Sequence, residues 1–196
     1  MRLRLFAVAA VLAALMTASH AHAQVGLYFN PVVSRVSVSA PDTGTFAFLG
    51  DNTTSRIFGG VDFGGYYDFA HYAKFDVGVD FRDTIQHGNN ALLNDFAGGL
   101  RVASKPLAHN LKPYAEVMVG AGRTRPPQNA AHVTKLEANV LVGVDRPLNR
   151  HVDWRIIEVG YGSLSVISSG VYNSGTTPIA TAKVINFSTG FVFRFP

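Results

Sequence analysis

From Gln24 onward apolar and polar residues alternate with a period of two rather than 3.6, which leaves β-strands as the structure this chain can build. In the third alternating segment Ala73, Phe75, Val77, Val79 and Phe81 point one way, and Lys74, Asp76, Gly78, Asp80 and Arg82 the other. In the sixth, Leu136, Ala138, Val140, Val142 and Val144 oppose Lys135, Glu137, Asn139, Gly143 and Asp145. In the last, Ile185, Phe187, Phe191, Phe193 and Phe195 oppose Asn186, Ser188, Gly190 and Arg194. Successive strand side chains face opposite sides of a sheet, so each segment has one apolar and one polar face.

Eight such segments are counted, at 25–36, 55–68, 71–83, 90–103, 111–123, 134–146, 151–162 and 183–195. The connections alternate too. Those after the second, fourth and sixth segments are compact (Phe69-Ala70, Lys105 to Asn110, Pro147 to Arg150). The others are generally longer and rich in Gly, Ser, Thr, Asn and Pro, as in Ser37 to Thr54 and Ser163 to Ala182. This order predicts an all-β, eight-stranded, antiparallel up-and-down transmembrane β-barrel, with short turns at the end that holds both termini. Two places strain the pattern. Arg155 and Glu158 fall on opposite faces by strict alternation, so either one charge faces outward or a bulge shifts the register. Pro31 lacks an N–H and predicts a bulge or a frayed end in the first strand.

The first 23 residues read as an export signal. Arg2 and Arg4 precede an apolar run from Leu5 to Met16, and Ala21-His22-Ala23 supplies a small-residue cleavage site before Gln24. Removal of those 23 of the 196 residues leaves 173, enough for one domain spanning 24–196. The formal charge falls from +4 to +2 with Arg2 and Arg4, so a basic nucleic-acid surface is not indicated. There is no cysteine, which excludes disulfides and thiolate metal sites.

Alternation alone does not say which face is inside, because a soluble lipocalin-like barrel alternates with its apolar face inward. Glycine placement argues for a polar interior: Gly60, Gly64, Gly78, Gly99, Gly120, Gly122, Gly143 and Gly190 share the polar face, where missing side chains make room in a narrow barrel. Charge on that face is nearly balanced. Lys74, Arg82, Arg101, Lys112, Lys135, Arg155, Lys183 and Arg194 stand against Asp62, Asp68, Asp76, Asp80, Asp95, Glu116, Glu137, Asp145 and Asp153, as ions paired within a lumen would require. At the C-terminus Ser188, Gly190, Phe193 and Phe195 fall on a polar–glycine–aromatic–aromatic spacing. This spacing resembles the assembly signal of outer-membrane barrels, although Pro196 follows the aromatic that usually ends it. The whole chain after residue 23 resembles the small bacterial outer-membrane barrels of the OmpA transmembrane-domain and OmpX type. That resemblance implies an outer-membrane location with both termini periplasmic, and contact with outer-membrane lipid, lipopolysaccharide and the barrel-assembly machinery.

The function expected is structural or surface-interacting, with no cofactor and no metal. Eight strands enclose a space just wide enough for side chains to fill, so a large pore is not expected. A narrow porin-like channel, a lipid A-modifying barrel enzyme and a soluble lipocalin-like binder of an apolar ligand are the alternatives. His71, His87, His109, His132 and His151 lie in or beside connections, and no spacing pairs them with Ser163, Ser165, Ser168 or Ser169. Phe46, Phe48, Leu49, Val166, Ile167, Val171 and Tyr172 lie in the long connections, where they either meet a partner or pack among themselves. Tyr28, Tyr66, Tyr67, Phe69, Tyr72 and Trp154, near strand ends, are expected to form an interfacial girdle.

Overall fold

The computed structural model describes residues 24–166 and 180–195. Ala21, Ala23 and the rest of the expected export signal lie outside them, as do Ile167, Ser168, Ser169, Val171, Tyr172 and Pro196. Eight strands follow in order: β1 Gln24–Asp42, β2 Thr53–His71, β3 Phe75–Gly88, β4 Ala91–Ser104, β5 Lys112–Arg125, β6 Val133–Pro147, β7 Val152–Val166 and β8 Ala180–Phe195. Each pairs antiparallel with the next, and β8 returns to β1, closing the barrel. The shortest strands have 14 residues, about 46 Å of extended chain. At a tilt near 45° they still rise over roughly 30 Å, more than the ~25 Å apolar band of such barrels.

Several boundaries move from the sequence expectation. β2 continues through Phe69 and Ala70 to His71 with a bulge between Asp68 and Ala70, so the turn falls on Tyr72 to Lys74. β3 and β4 meet at a two-residue turn of Asn89 and Asn90, with φ of 46° and 64°. That left-handed pair matches the twist of a hairpin, and asparagine tolerates it better than other side-chain-bearing residues. The connection after β3 is therefore shorter than the one from Lys105 to Leu111 at the opposite end.

Of the two alternatives left open in β7, the structure shows the bulge. Asp145 faces Arg155 while Val144 faces Ile157, so Ile156 is the extra residue, and both Arg155 and Glu158 turn inward. Pro31 needs no bulge. It keeps its register opposite Val61, and the pairing with β8 lapses only between Phe29–Phe191 and Val32–Ser188.

The two faces settle the question that alternation left open. Phe29, Phe63, Phe81, Phe96, Leu100, Val117, Leu136, Val142, Phe187, Phe191, Phe193 and Phe195 all point outward and are 41–71% exposed. The inward positions of the same strands hold charged, amide and tyrosine side chains in one half of the barrel and apolar ones in the other. A lipocalin-like reading, which requires an apolar interior and a wetted exterior, is incompatible with that polarity.

Candidate functional site in the barrel lumen

Three buried arginines organise the half of the lumen nearest the termini. Arg82, from β3, makes a two-pronged bond to Glu158, with Nη1 to Oε1 at 2.5 Å and Nη2 to Oε2 at 2.8 Å. It also reaches Glu116 at 3.3 Å and Asp62 at 3.5 Å, and donates from Nε to the Tyr28 hydroxyl at 3.1 Å. Arg155 pairs with Asp145 at 3.1 Å and Glu158 at 3.2 Å. Arg101 lies against Glu116, Asp145 and Asp68 at 3.2, 3.5 and 3.9 Å. Two-pronged guanidinium–carboxylate bonds are among the stronger polar contacts, which is what ions removed from water need.

Three tyrosines complete this layer, and glycines make room for them. Tyr28, Tyr66 and Tyr114 lie over Gly64, Gly26 and Gly143 of the adjacent strand; a Cβ at any of the three glycines would come within 2.5 Å of the ring or its hydroxyl. Their faces receive the cations. Arg101 sits 4.2 Å from the Tyr66 ring centre and 4.6 Å from that of Tyr114, and Arg155 sits 4.7 Å from those of Tyr28 and Tyr114. The hydroxyl of Tyr28 donates to Asp80 at 2.6 Å and that of Tyr114 to Glu158 at 2.7 Å. Tyr28 and Tyr66 are thus corrected from girdle residues to lumen residues, 3% and 4% exposed. Tyr67, Phe69, Tyr72 and Trp154 do face outward. The glycines were visible in sequence, but their tyrosine partners depended on inter-strand register.

At the terminal rim Asp153 pairs with Lys112 and Arg194, and Asp76 with His71 and Lys105. Not every expected lumen cation arrives. Lys74 lies in the turn before β3 and is exposed, because β2 runs further than its composition suggested. Lys135 is exposed at the far rim and has no ion pair among the described residues. Lys183 shares the outward parity of Ile185 and Phe187. Asp80 and Asp95 are inside without a cation within 4 Å among the described residues, Asp80 being held by the Tyr28 hydroxyl. Glu137 is likewise inside and unpaired by any cation, hydrogen-bonded to Asn139 instead. The balanced charge expected of the lumen is therefore corrected to a carboxylate excess.

The other half of the lumen is apolar. Val36, Phe58, Ala91, Leu93, Leu164, Val166, Ala182 and Val184 form a buried cluster there, and Phe48 and Leu49 of the β1–β2 loop enter it from above. The Phe48 ring stacks on Phe58 at 5.3 Å. The loop folds back through bonds from Ala47 N to Gly44 O and from Gly50 N to Ala47 O, with Gly44 and Gly50 at φ of 86° and 99°. Phe48 and Leu49 thus plug the barrel and are unavailable to an outside partner.

Within the network, two cavities between the described residues measure about 20 Å³ and 10 Å³, room for roughly one water each. Ser188 of the C-terminal pattern donates to Glu158 at 3.0 Å, Gly190 lies inward against Asn30, and Phe193 and Phe195 point outward. The histidines stay apart from serine hydroxyls among the described residues. His87 and His132 are exposed, and slight desolvation followed by the charges of Arg123 and Arg125 lowers the pKa of His132.

No protein-family model and no curated protein sequence matches this chain. Among solved structures it is similar to Neisserial surface protein A, NspA, with 13% identity, a TM-score of 0.55, and coverage of 87% of this chain and 97% of that one. It also has looser likenesses to Ail, the attachment invasion locus protein of Yersinia pestis (12% identity, 88% of this chain and 98% of that one, TM-score 0.46), and to OprG from Pseudomonas aeruginosa (13%, 89% and 98%, 0.43). At such identities a likeness speaks for the fold, and the fold is a closed, eight-stranded, antiparallel up-and-down barrel of the kind found among small outer-membrane proteins.

Proposed function

We propose that this protein is an integral outer-membrane barrel with a sealed lumen and a structural or surface-interaction role, without enzymatic activity. The observation that carries the reading is its inverted polarity: among the described residues 28 large apolar side chains are more than a third exposed, while nine carboxylates and three arginines are buried. In water such a surface far exceeds the apolar patch a monomer tolerates, whereas a lipid bilayer is its natural solvent. Both termini and two short turns lie at one rim, which we assign to the periplasm; the long connections, with outward-facing Arg35, Arg123, Arg125 and Lys183 beneath them, then lie on the cell surface. Those cations suit the phosphates of lipopolysaccharide. Outer-membrane lipid and lipopolysaccharide are the proposed partners of the folded barrel, and the barrel-assembly machinery its partner during insertion.

The ionic layer and the apolar plug together support a barrel that does not conduct. Fractionation of cells expressing the chain should recover it in outer membranes, with a gel band that shifts on boiling. Planar bilayers holding the purified protein should show no stable conductance. Recovery as a soluble periplasmic protein would defeat the membrane reading, and a large steady conductance would defeat the sealed lumen.

A further inference from the structure

On the lipid-facing side of the wall an open trough of about 680 Å³ crosses β5 to β8 and reaches β1. Its volume falls in the range of roughly 300–1,000 Å³ that small-molecule sites occupy. Strand register orders its lining into steps. The lowest step is apolar, with Val117 opposite Val140 and Val140 opposite Tyr161, each more than half exposed. Two residues nearer the rim of long connections, Ala138 stands opposite Ser163, Ser163 opposite Lys183 and Lys183 opposite Ser37. Thr181 and Ser39 make the next step, two residues further along β8 and β1. With strands tilted by about 45°, the sideways shift of one strand is offset by two residues along it, so these steps stack into an upright trough. Its lining changes from hydrocarbon at mid-wall to hydroxyl and ammonium groups near the rim. Lys183 has a serine on the strand to either side, no acidic side chain lines the trough, and Lys183 has no ion pair among the described residues.

We propose that this trough binds one phosphorylated glycolipid of the lipid A type, with a phosphate on Lys183, Ser37 and Ser163 and an acyl chain against Val117, Val140 and Tyr161. The proposal rests on the outer-membrane reading above, which puts this rim at the cell surface. The ammonium and both hydroxyls donate to phosphate oxygens, and a bond between charged partners is the stronger kind. A phosphomonoester carries nearly two charges at neutral pH, where the diester of a phospholipid carries one, so the glycolipid suits Lys183 better. Arg123 and Arg125 of β5 lie outside the trough, and Arg125 already donates to the Asn90 carbonyl. Charge by itself would spread lipid round the rim, whereas the trough gathers it on one side. A second barrel in the same place would have to cover Lys183 with a wall that is itself largely hydrocarbon.

The test uses the full chain folded in detergent, its fold checked by the band shift on boiling. Native mass spectrometry counts bound lipid during titration with bisphosphorylated lipid A, and a single-lipid species should fill before any other. Lys183→Gln should weaken that species about tenfold, the size of one lost charged hydrogen bond. Ala138→Phe fills the trough from an exposed position, leaves every charge in place, and should abolish the species. Arg123→Gln/Arg125→Gln should leave it unchanged. Dephosphorylated lipid A and phosphatidylglycerol should both bind more weakly than the bisphosphorylated form. The site is overturned by the lack of a single-lipid species, by its indifference to Lys183→Gln or Ala138→Phe, or by equal weakening in the Arg123/Arg125 variant. Equal binding of either comparison lipid, or a dimer that lipid A does not displace, also overturns it. A chain that shifts on boiling and fractionates with outer membranes yet binds no lipid A loses this site alone. A soluble periplasmic chain loses the reading beneath it as well.

Discussion

The two halves of the lumen are built on the same strands and the same parity, yet one is held by ions and the other by hydrocarbon. Along β1 the inward residues run Tyr28, Asn30, Val32, Ser34 and Val36, from the tyrosine layer to the plug. Along β4 they run from Arg101 through Asp95 to Leu93 and Ala91. The ionic half is directional and shared: Glu158 alone takes bonds from Arg82, Arg155, Tyr114 and Ser188. The apolar half has no such single member, and its contacts depend on volume rather than on geometry. The difference teaches that a loss in the first half strands a charge, whereas a loss in the second opens a void.

The largest effect should follow Glu158→Ala, which leaves Arg82 and Arg155 without their common carboxylate. Removing one partner of a buried ion pair costs about 3–5 kcal/mol, and urea unfolding in detergent should register a loss of that size; a loss below ~1 kcal/mol would erase the distinction between the halves. Phe48→Ala should cost about 3 kcal/mol, the low end for an aromatic core truncation because a loop can partly collapse. It should leave bilayer conductance absent, since the ionic layer still closes the lumen, and a new steady conductance would show that the plug is the only seal. Gly143→Ala puts a methyl 2.4 Å from the Tyr114 ring and should cost about 1–3 kcal/mol by overpacking. Gly59→Ala, whose Cβ meets nothing within 4 Å, serves as its control and should be close to neutral.

The barrel, its strand count and its polarity were legible because a period of two is a local property that one strand displays by itself. The inward parity of Arg82, Arg101, Asp62, Glu116 and Asp145 was legible for the same reason. What a strand cannot display is its neighbour's register, so the pairing of Tyr114 with Gly143, or Tyr28 with Gly64, was hidden even though each glycine stood out. The bulge at Ile156 was one of two alternatives that the opposed parity of Arg155 and Glu158 left open, and the side to which Glu158 would turn was not legible. Lys74, Lys135 and Lys183 were misplaced because strand ends are set by turns and rims, where alternation fades. Phe48 and Leu49 sit among turn-forming residues that signal a loop, and nothing local tells a loop that folds inward from one that reaches out.

The two-residue Asn89–Asn90 turn has a consequence for the order in which the molecule comes together. It joins fourteen consecutive residue pairs, from Gly88–Ala91 down to Phe75–Ser104, with no break in register. Val25 and Phe195, which pair where β1 meets β8, come from opposite ends of the chain. Closing that span instead of a two-residue loop is about six doublings of loop length at ~0.6 kcal/mol each, roughly 4 kcal/mol of chain entropy. By chain entropy alone the β3–β4 hairpin is the easier pairing to form and the β1–β8 seam the harder, unless the strands between them are already in place. Until the seam closes, the chain is a sheet with two open edges, each a template for a wrong partner.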